Sequence, residues 1–163
     1  MKKRYIDWLE YQGMVSEVAR QISLTEWRPD YIVGITRGGA PAAIMLSHYF
    51  DCKMYGLDVS LRDGGSPESN LWMADDATAG KKILIVDDIN DSGATINWII
   101  NDWESSNTSL NGQQCWGHNV RFAVLVDNEA SKSSVVPSYC AETVNKFEDP
   151  TWLVFPYEEW WKQ

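Results

Sequence analysis

The fold is decided by the stretch Lys82-Ile83-Leu84-Ile85-Val86-Asp87-Asp88-Ile89-Asn90-Asp91-Ser92-Gly93-Ala94-Thr95. From Lys82 to Val86 the chain is apolar after its first residue, which predicts a strand buried on both faces. A Ser-Gly turn follows it. Apolar residues then recur at helical spacing, which predicts a helix from Thr95 to about Trp103. A buried strand that enters a helix through a polar turn is typical of an α/β protein.

The same order of elements appears on both sides of this stretch. On the N-terminal side we predict an amphipathic helix between Ile6 and Ile22, then a strand, a Gly-Gly turn, a second helix and a second strand. The predicted bounds of these last elements and of two C-terminal strands are 31–35 (strand), 41–50 (helix), 53–61 (strand), 122–126 and 139–144 (strands). This alternation predicts a mostly parallel, twisted, Rossmann-like sheet flanked by helices, in a single domain that spans residues 1–163.

Charge and composition exclude several classes of function. The chain has 14 basic and 23 acidic residues and a formal net charge of -9, which argues against a nucleic-acid partner and against an anionic membrane surface. Three widely spaced cysteines predict neither a disulfide framework nor a zinc site. The sequence has no signal-peptide core and no run that approaches the roughly 20 apolar residues of a membrane-spanning helix. We therefore expect a soluble, cytoplasmic protein.

Two turns between a strand and a helix have the composition of phosphate-binding loops. They are Thr36-Arg37-Gly38-Gly39 and Asp91-Ser92-Gly93-Ala94-Thr95. Glycine allows the backbone to approach a ligand closely, and the N–H groups at a helix N-terminus attract an anion. In an acidic protein such loops, together with a metal ion, can bind a polyanion without many lysines. The second turn is the more specific signal, because the acids Asp87 and Asp88 come shortly before it.

The stretch from Ile83 to Thr95 resembles the phosphoribosyl pyrophosphate (PRPP) signature of type I phosphoribosyltransferases. In that signature an apolar strand enters an acidic pair and then a hydroxyl-bearing phosphate loop. Ser92 is a mild departure, since threonine is commoner there. The first turn is similar to the pyrophosphate loop of the family, and Asp149 to Tyr157 looks like its purine-holding segment. In order and length the chain most resembles the short bacterial xanthine-guanine and hypoxanthine enzymes.

This resemblance implies an activity and a set of binding residues. The activity is transfer of the 5-phosphoribosyl group from PRPP to a purine base (xanthine, guanine or hypoxanthine), with release of pyrophosphate, in nucleotide salvage. Arg37 would donate to the departing pyrophosphate, and Trp152 and Leu153 would hold the base. The PRPP-binding residues that the resemblance implies are Thr36, Arg37, Gly38, Gly39, Asp87, Asp88, Asp91, Ser92, Gly93, Ala94 and Thr95.

The resemblance also implies a magnesium ion and a catalytic carboxylate. Asp87 and Asp88 would lie near the ribose hydroxyls and a hydrated Mg²⁺, which prefers oxygen ligands from phosphates and one or two carboxylates. Asp91 is the candidate catalytic residue, either as a general base near the purine or as a group that only stabilises charge. Members of the family are usually dimers or tetramers, so we expect a homodimer or a homotetramer.

One departure from the family concerns the acceptor base. The 6-oxopurine enzymes have a lysine after the strand that corresponds to Phe122–Val126, where this chain has Asp127-Asn128-Glu129. Lys132 could substitute for it, Asn128 could make the contact, or the acceptor could be a pyrimidine or another molecule. The missing lysine also leaves open a regulator that senses PRPP without catalysis.

The segment from Leu61 to Asp76 allows two interpretations. The residues between Arg62 and Lys82 show weak periodicity, and long loops in compact domains are usually functional or mobile. By its position the segment resembles the mobile hood loop that closes over such active sites, with Arg62 able to reach a phosphate. An ordinary surface loop is the alternative.

Overall fold

The computed structural model describes residues 1–59, 61, 67–107 and 114–162. Arg62, the residue of the expected hood that could reach a phosphate, lies outside these ranges. The elements in chain order are β1 (Lys3–Tyr5), α1 (Trp8–Ser23), β2 (Tyr31–Thr36), α2 (Ala40–Phe50), β3 (Lys53–Asp58), α3 (Leu71–Thr78), β4 (Ile83–Asn90), α4 (Ala94–Ser106), β5 (Val120–Asn128), β6 (Tyr139–Val144) and β7 (Trp152–Val154), followed by a 3-10 turn at Trp160–Lys162.

The main sheet has five strands in the order β3-β2-β4-β5-β6, and each neighbouring pair is parallel. This confirms the predicted α/β fold with a mostly parallel sheet. β4, the strand quoted first, lies at the centre of the sheet. β1 and β7 form a separate parallel pair, in which Arg4 is opposite Leu153. The two ends of the chain therefore meet beside the sheet.

Helices cover the main sheet on both faces because its strands are apolar on both sides. In β4, Leu84 and Val86 pack with residues of α1 and α2, whereas Ile83 and Ile85 pack with residues of α3 and α4. Successive side chains of a strand point to opposite faces, so an uninterrupted apolar run contributes to both cores. All four of these side chains are at most 1% exposed.

Several strand bounds differ from the predictions. β3 ends at Asp58 rather than Leu61, and β4 and β5 continue past their apolar runs to Asn90 and Asn128. The extension follows from backbone pairing, since Asn90 lies opposite Asp127 in the parallel ladder. Hydropathy does not detect such an extension, because ladder hydrogen bonds do not depend on the side chain. β6 has the predicted bounds.

The sequence does not predict α3, which lies inside the segment interpreted as a loop. The Asn70 side chain caps it by accepting a hydrogen bond from Met73 N at 2.8 Å. Its buried residues, Met73, Ala74 and Ala77, pack in the same core cluster as those of α4. Eight residues, two of them alanines and two of them aspartates, carry too little apolar contrast for a periodic pattern to appear.

Large aromatic residues are expected in the core or at a subunit contact. Trp103 fulfils this expectation, since it is fully buried under the sheet. Trp8, Trp160 and Trp161 are 52%, 65% and 65% exposed, so these three lie outside the core of the chain. None of the helices in the described part of the chain combines the length and the apolarity that crossing a bilayer requires.

Candidate functional site

A cleft of about 700 Å³ opens at the carboxyl ends of β2 and β4. The chain passes from β2 outward to β3 and returns to β4 before it continues through β5 to β6, so the strand order reverses between β2 and β4. In open parallel sheets ligands bind at this switch point. Both predicted phosphate loops start here, because one follows β2 and the other follows β4.

The loop after β4 ends in a glycine that no other residue could replace without distortion. Gly93 has φ +91° and precedes the first residue of α4. A Cβ at this position would lie 2.3 Å from Ser133 N and 2.8 Å from Lys132 C. Ser92 Oγ accepts from Ala94 N at 3.2 Å, and Ser92 O accepts from Lys132 N at 2.9 Å. The 131–133 segment therefore holds the loop from behind, and the N-terminus of α4 faces the cleft.

The loop after β2 rests directly on β4. A Cβ on Gly38 would lie 2.2 Å from Asp88 Oδ2, and one on Gly39 would lie 2.2 Å from Val86 O. The loop closes through Gly39 N, which donates to Ile35 O at 2.7 Å, and the Thr36–Arg37 peptide bond is cis. The Gly-Gly pair is thus explained by close packing. It brings the exposed Arg37 to the edge of the cleft that Asp87 and Asp88 also line.

The carboxylate of Asp88 is oriented from two sides. Its Oδ1 accepts from Ile89 N at 2.7 Å, and its Oδ2 accepts from Tyr157 Oη at 3.0 Å. Tyr157 Oη also lies 2.8 Å from Gly38 O, so its single O–H is shared between the two acceptors. Burial, and then the charge of Asp88, raise the pKa of Tyr157 far above its ordinary value, so its hydroxyl is a neutral donor at physiological pH. One phenol thereby links the acidic pair to the first loop.

Asp91 lies between a buried amide and a lysine. Asn128 Nδ2 donates to Asp91 O at 2.9 Å and approaches Asp91 Oδ1 at 3.4 Å. Lys146 Nζ lies 3.3 Å from Asp91 Oδ2, and the two side chains are only 16% and 24% exposed. Asn128 Oδ1 in turn accepts from Ala130 N and Lys146 N. The ends of β5 and β6 thus converge on the candidate catalytic carboxylate.

The predicted base-holding segment forms β7 and its continuation. Trp152 lines the cleft, and Lys146 Nζ lies 5.3 Å from the centroid of its ring. Leu153 points the other way and is buried in the core at 7% exposure, as expected for neighbours in a strand. Any contact between Leu153 and a ligand would therefore use its backbone. β1 holds this strand in place, and Trp152 N donates to Lys2 O at 2.9 Å.

The structure brings most of the predicted site residues together around the cleft. Those that line it are Thr36, Arg37, Gly38, Asp87, Asp88, Asp91, Ser92, Gly93, Ala94, Thr95 and Trp152. Gly39 lies buried beneath its loop. Reasoning from the sequence assigned no role to Lys146 or to the hydroxyl of Tyr157. Tyr157 is the last residue of the base-holding motif from Asp149 to Tyr157, and its place in that motif could have indicated a role. Lys146 stands alone in a polar loop, where no sequence pattern marks it as a functional residue.

The acidic pair fits a magnesium ion that shares its ligands with a substrate. Within the described residues, no three His, Cys, Asp or Glu side chains form a cluster that would hold a metal by themselves. Asp87 and Asp88 both line the cleft, and they bring two neighbouring carboxylates to it. Mg²⁺ is commonly bound in this way, by one or two carboxylates, water and substrate phosphates.

Comparisons with known proteins agree with this geometry. A family model described as a phosphoribosyl transferase domain matches residues 5–158. A hypoxanthine-guanine phosphoribosyltransferase of Lactococcus lactis is 29% identical over 130 residues, which are 75% of this chain and 66% of that protein. The crystal structure of a purine phosphoribosyltransferase from Pyrococcus horikoshii superposes with a TM-score of 0.69 at 26% identity, over 98% of this chain and 96% of the other.

A xanthine-guanine-hypoxanthine phosphoribosyltransferase of Helicobacter pylori has a TM-score of 0.68, with 98% of this chain and 95% of the other covered. At 18% identity this likeness shows the fold alone. The family model, in contrast, covers both phosphate loops and the base-holding segment, which are the parts that the structure assembles around one cleft. The chain belongs to the phosphoribosyltransferase family.

Proposed function

We propose that this chain transfers the 5-phosphoribosyl group from PRPP to a 6-oxopurine, in the nucleotide salvage of the cytoplasm. In the reaction the bond between ribose C1 and the pyrophosphate oxygen breaks, a bond from C1 to a purine nitrogen forms, and that nitrogen loses its proton. The observation that carries the proposal is the convergence of two glycine loops, an acidic pair and an aromatic platform on one cleft. We further propose that the chain acts as one domain within a homodimer or homotetramer.

Each of the two phosphate loops binds a different charged group of PRPP. The loop from Asp91 to Thr95 holds the 5′-phosphate through backbone N–H groups and its hydroxyls, aided by the N-terminus of α4. The loop from Thr36 to Gly39 holds the pyrophosphate, and Arg37 donates to its oxygens as negative charge develops there. Asp87 and Asp88 lie near the ribose hydroxyls and hold a hydrated Mg²⁺, which supplies charge neutralisation at the leaving group.

The acceptor base binds on the opposite side of the ribose site. Trp152 offers a ring face for stacking, and the backbone of Leu153 offers hydrogen-bonding groups beside it. Asp91 lies between this platform and the phosphate loop, and it either accepts the proton of the purine nitrogen or stabilises positive charge on the base.

Calorimetry and an assay on the same samples test the proposal. PRPP is titrated with and without Mg²⁺, and turnover is then followed by absorbance with guanine, xanthine, hypoxanthine, adenine and orotate. We expect binding with a Kd in the micromolar range, about -8 kcal/mol, and turnover of at least one 6-oxopurine. Asp91→Asn should lower kcat roughly 100-fold while PRPP affinity is preserved. Asp51→Asn, at an exposed position in the left-handed region that asparagine tolerates, is the matched control.

A PRPP-sensing regulator without catalysis is the second candidate, and one observation favours it. Asn128 stands in the segment where family enzymes for 6-oxopurines have a lysine, and its amide is engaged within the protein. Tight PRPP binding without turnover of any purine or pyrimidine would support the regulator. Turnover of orotate alone would instead indicate a pyrimidine acceptor.

A further inference from the structure

Lys146 lies where the aromatic platform meets the candidate catalytic carboxylate. Its Nζ is 3.3 Å from Asp91 Oδ2 and 5.3 Å from the ring centroid of Trp152, and its side chain is 16% exposed. The position is defined by the backbone as well, since Lys146 N donates to Asn128 Oδ1 at 3.0 Å. The Lys146 side chain thus has two contacts, with Asp91 and Trp152, and its backbone has a third, with Asn128.

The two other residues that could recognise the base make no contact with Trp152 in the described structure. Asn128 is 6% exposed; its Nδ2 donates to Asp91 and its Oδ1 accepts from Ala130 N and Lys146 N. It therefore has little hydrogen-bonding capacity left for a ligand. Lys132 has an exposed side chain, and its backbone supports the phosphate loop through Ser92 O. Neither residue presents a donor beside Trp152.

An ammonium group at this position selects the chemistry of the base. Lysine has three donors and no acceptor, and among the described residues Asp91 is the only hydrogen-bonding partner in reach of Lys146 Nζ. A carbonyl oxygen on a base stacked at Trp152 would accept one of the remaining N–H groups. An exocyclic amino group would place donor against donor, which leaves a largely buried polar group unsatisfied.

We propose that Lys146, from the loop after β6, is the specificity-determining residue of this chain and donates to the exocyclic carbonyl oxygen of the base. It selects 6-oxopurines over 6-aminopurines, and the same ammonium keeps the Asp91 carboxylate beside the base. This inference rests on the proposed function, which supplies the identity of the ligand. The experiments below have different outcomes for failure of the Lys146 role and for failure of the proposed function.

The test compares base discrimination in Lys146→Met, Lys146→Gln and the wild type. We expect kcat/KM for guanine and hypoxanthine to fall roughly 10- to 100-fold in Lys146→Met, the effect of losing a hydrogen bond to a charged group. The fall should be smaller in Lys146→Gln, which retains an N–H donor. Turnover of adenine should fall less than that of guanine and hypoxanthine, and the Kd of PRPP should be unchanged. Lys53→Met, at an exposed lysine at the start of β3 that does not line the cleft, is the control.

Calorimetry with GMP and AMP gives a readout that does not need turnover. The wild type should bind GMP more tightly than AMP, and Lys146→Met should lose that preference. Equal losses for every base together with weaker PRPP binding would show a merely structural role and overturn the inference, as would preserved discrimination in Lys146→Met. Absence of turnover with a Lys146-dependent preference for GMP would instead overturn the proposed catalysis and leave the base specificity standing.

Discussion

At the scale of single residues, the cleft depends on side chains whose partners come from distant parts of the chain. Tyr157, near the C-terminus, shares its single O–H between Gly38 O and Asp88 Oδ2. Its ring stacks on Phe155, with centroids 5.9 Å apart. The hydroxyl is therefore placed by aromatic packing and in turn orients the acidic pair, so it should contribute to PRPP binding more than to folding.

Replacing Tyr157 by phenylalanine tests this contribution. The ring and its stacking remain, while Asp88 and the first loop lose their common donor. We expect the Kd of PRPP with Mg²⁺ to rise about tenfold and the KM for the base to change much less. Tyr11→Phe is the control, because the ring of Tyr11 lies 5.7 Å from that of Tyr157 and, among the described residues, its hydroxyl makes no hydrogen bond to Asp88 or Gly38. Equal PRPP affinity in the two variants would contradict the assigned role.

Gly93 is constrained both by its backbone conformation and by its neighbours. An alanine there would adopt φ +91° and place its Cβ 2.3 Å from Ser133 N. We expect Gly93→Ala to abolish measurable PRPP binding and to lower the free energy of unfolding by more than the roughly 1–3 kcal/mol of left-handed strain alone. Gly80→Ala provides the comparison, since Gly80 has φ +85° and open space around it. Urea denaturation of both variants separates strain from steric clash.

At the scale of elements, the base platform is held by the N-terminus of the chain. β1 pairs with β7, and Arg4 of β1 forms ion pairs with Glu10 of α1 and Glu142 of β6. A strand of three residues has little stability by itself. The position of β1 beside the cleft is therefore fixed by these contacts with α1 and the main sheet.

Arg4→Met tests whether the N-terminal strand positions the platform. We expect the KM for the base to rise about two- to fivefold, in line with the up to about 1 kcal/mol of a partly exposed ion pair, while the Kd of PRPP stays constant. Arg20→Met removes an equally bidentate but remote pair with Glu17 and is the control. An unchanged KM for the base in Arg4→Met, or an equal rise in both variants, would show that β1 does not position the base platform.

The comparison of elements shows which of them a sequence can predict. β4 and β6 are predictable because their local pattern agrees with their environment in the sheet. β1 and β7 are not, since each becomes a strand only by pairing with the other, nearly a chain length away. The phosphate loops are recognisable because glycines, acids and hydroxyls stand together in the sequence. Lys146 is not, because its two partners, Asp91 and Trp152, are brought to it only by the fold.

At the scale of the whole molecule, two apolar layers on either side of one parallel sheet carry the functional cleft at their edge. The ring of Tyr157 packs against one of these layers, and its hydroxyl orients Asp88 in the cleft. Because burial and then the charge of Asp88 raise the pKa of this phenol in the folded protein, folding and titration are linked.

The linkage predicts a loss of stability at high pH. The unfolded chain releases the proton of this tyrosine above about pH 10, whereas the folded protein retains it. The stabilisation is therefore fully present below pH 10 and falls as pH rises toward the folded-state pKa, by at most about 1.4 kcal/mol per pH unit. Urea denaturation between pH 9 and 11 should show a shallower loss in Tyr157→Phe than in the wild type. Tyr49→Phe, at an exposed tyrosine of α2, is the control, and parallel curves for all three proteins would exclude the linkage.

The hydrogen bonds of Asn128 also make positions 128 and 146 depend on each other. Its side chain accepts from the backbone of Lys146 and donates to Asp91, so position 128 determines where the loop after β6 lies. A lysine introduced at 128 would supply a cation from β5 but remove the acceptor that anchors Lys146. The two positions are therefore coupled through one backbone hydrogen bond, and the effects of substituting both should not be the sum of the effects of substituting each.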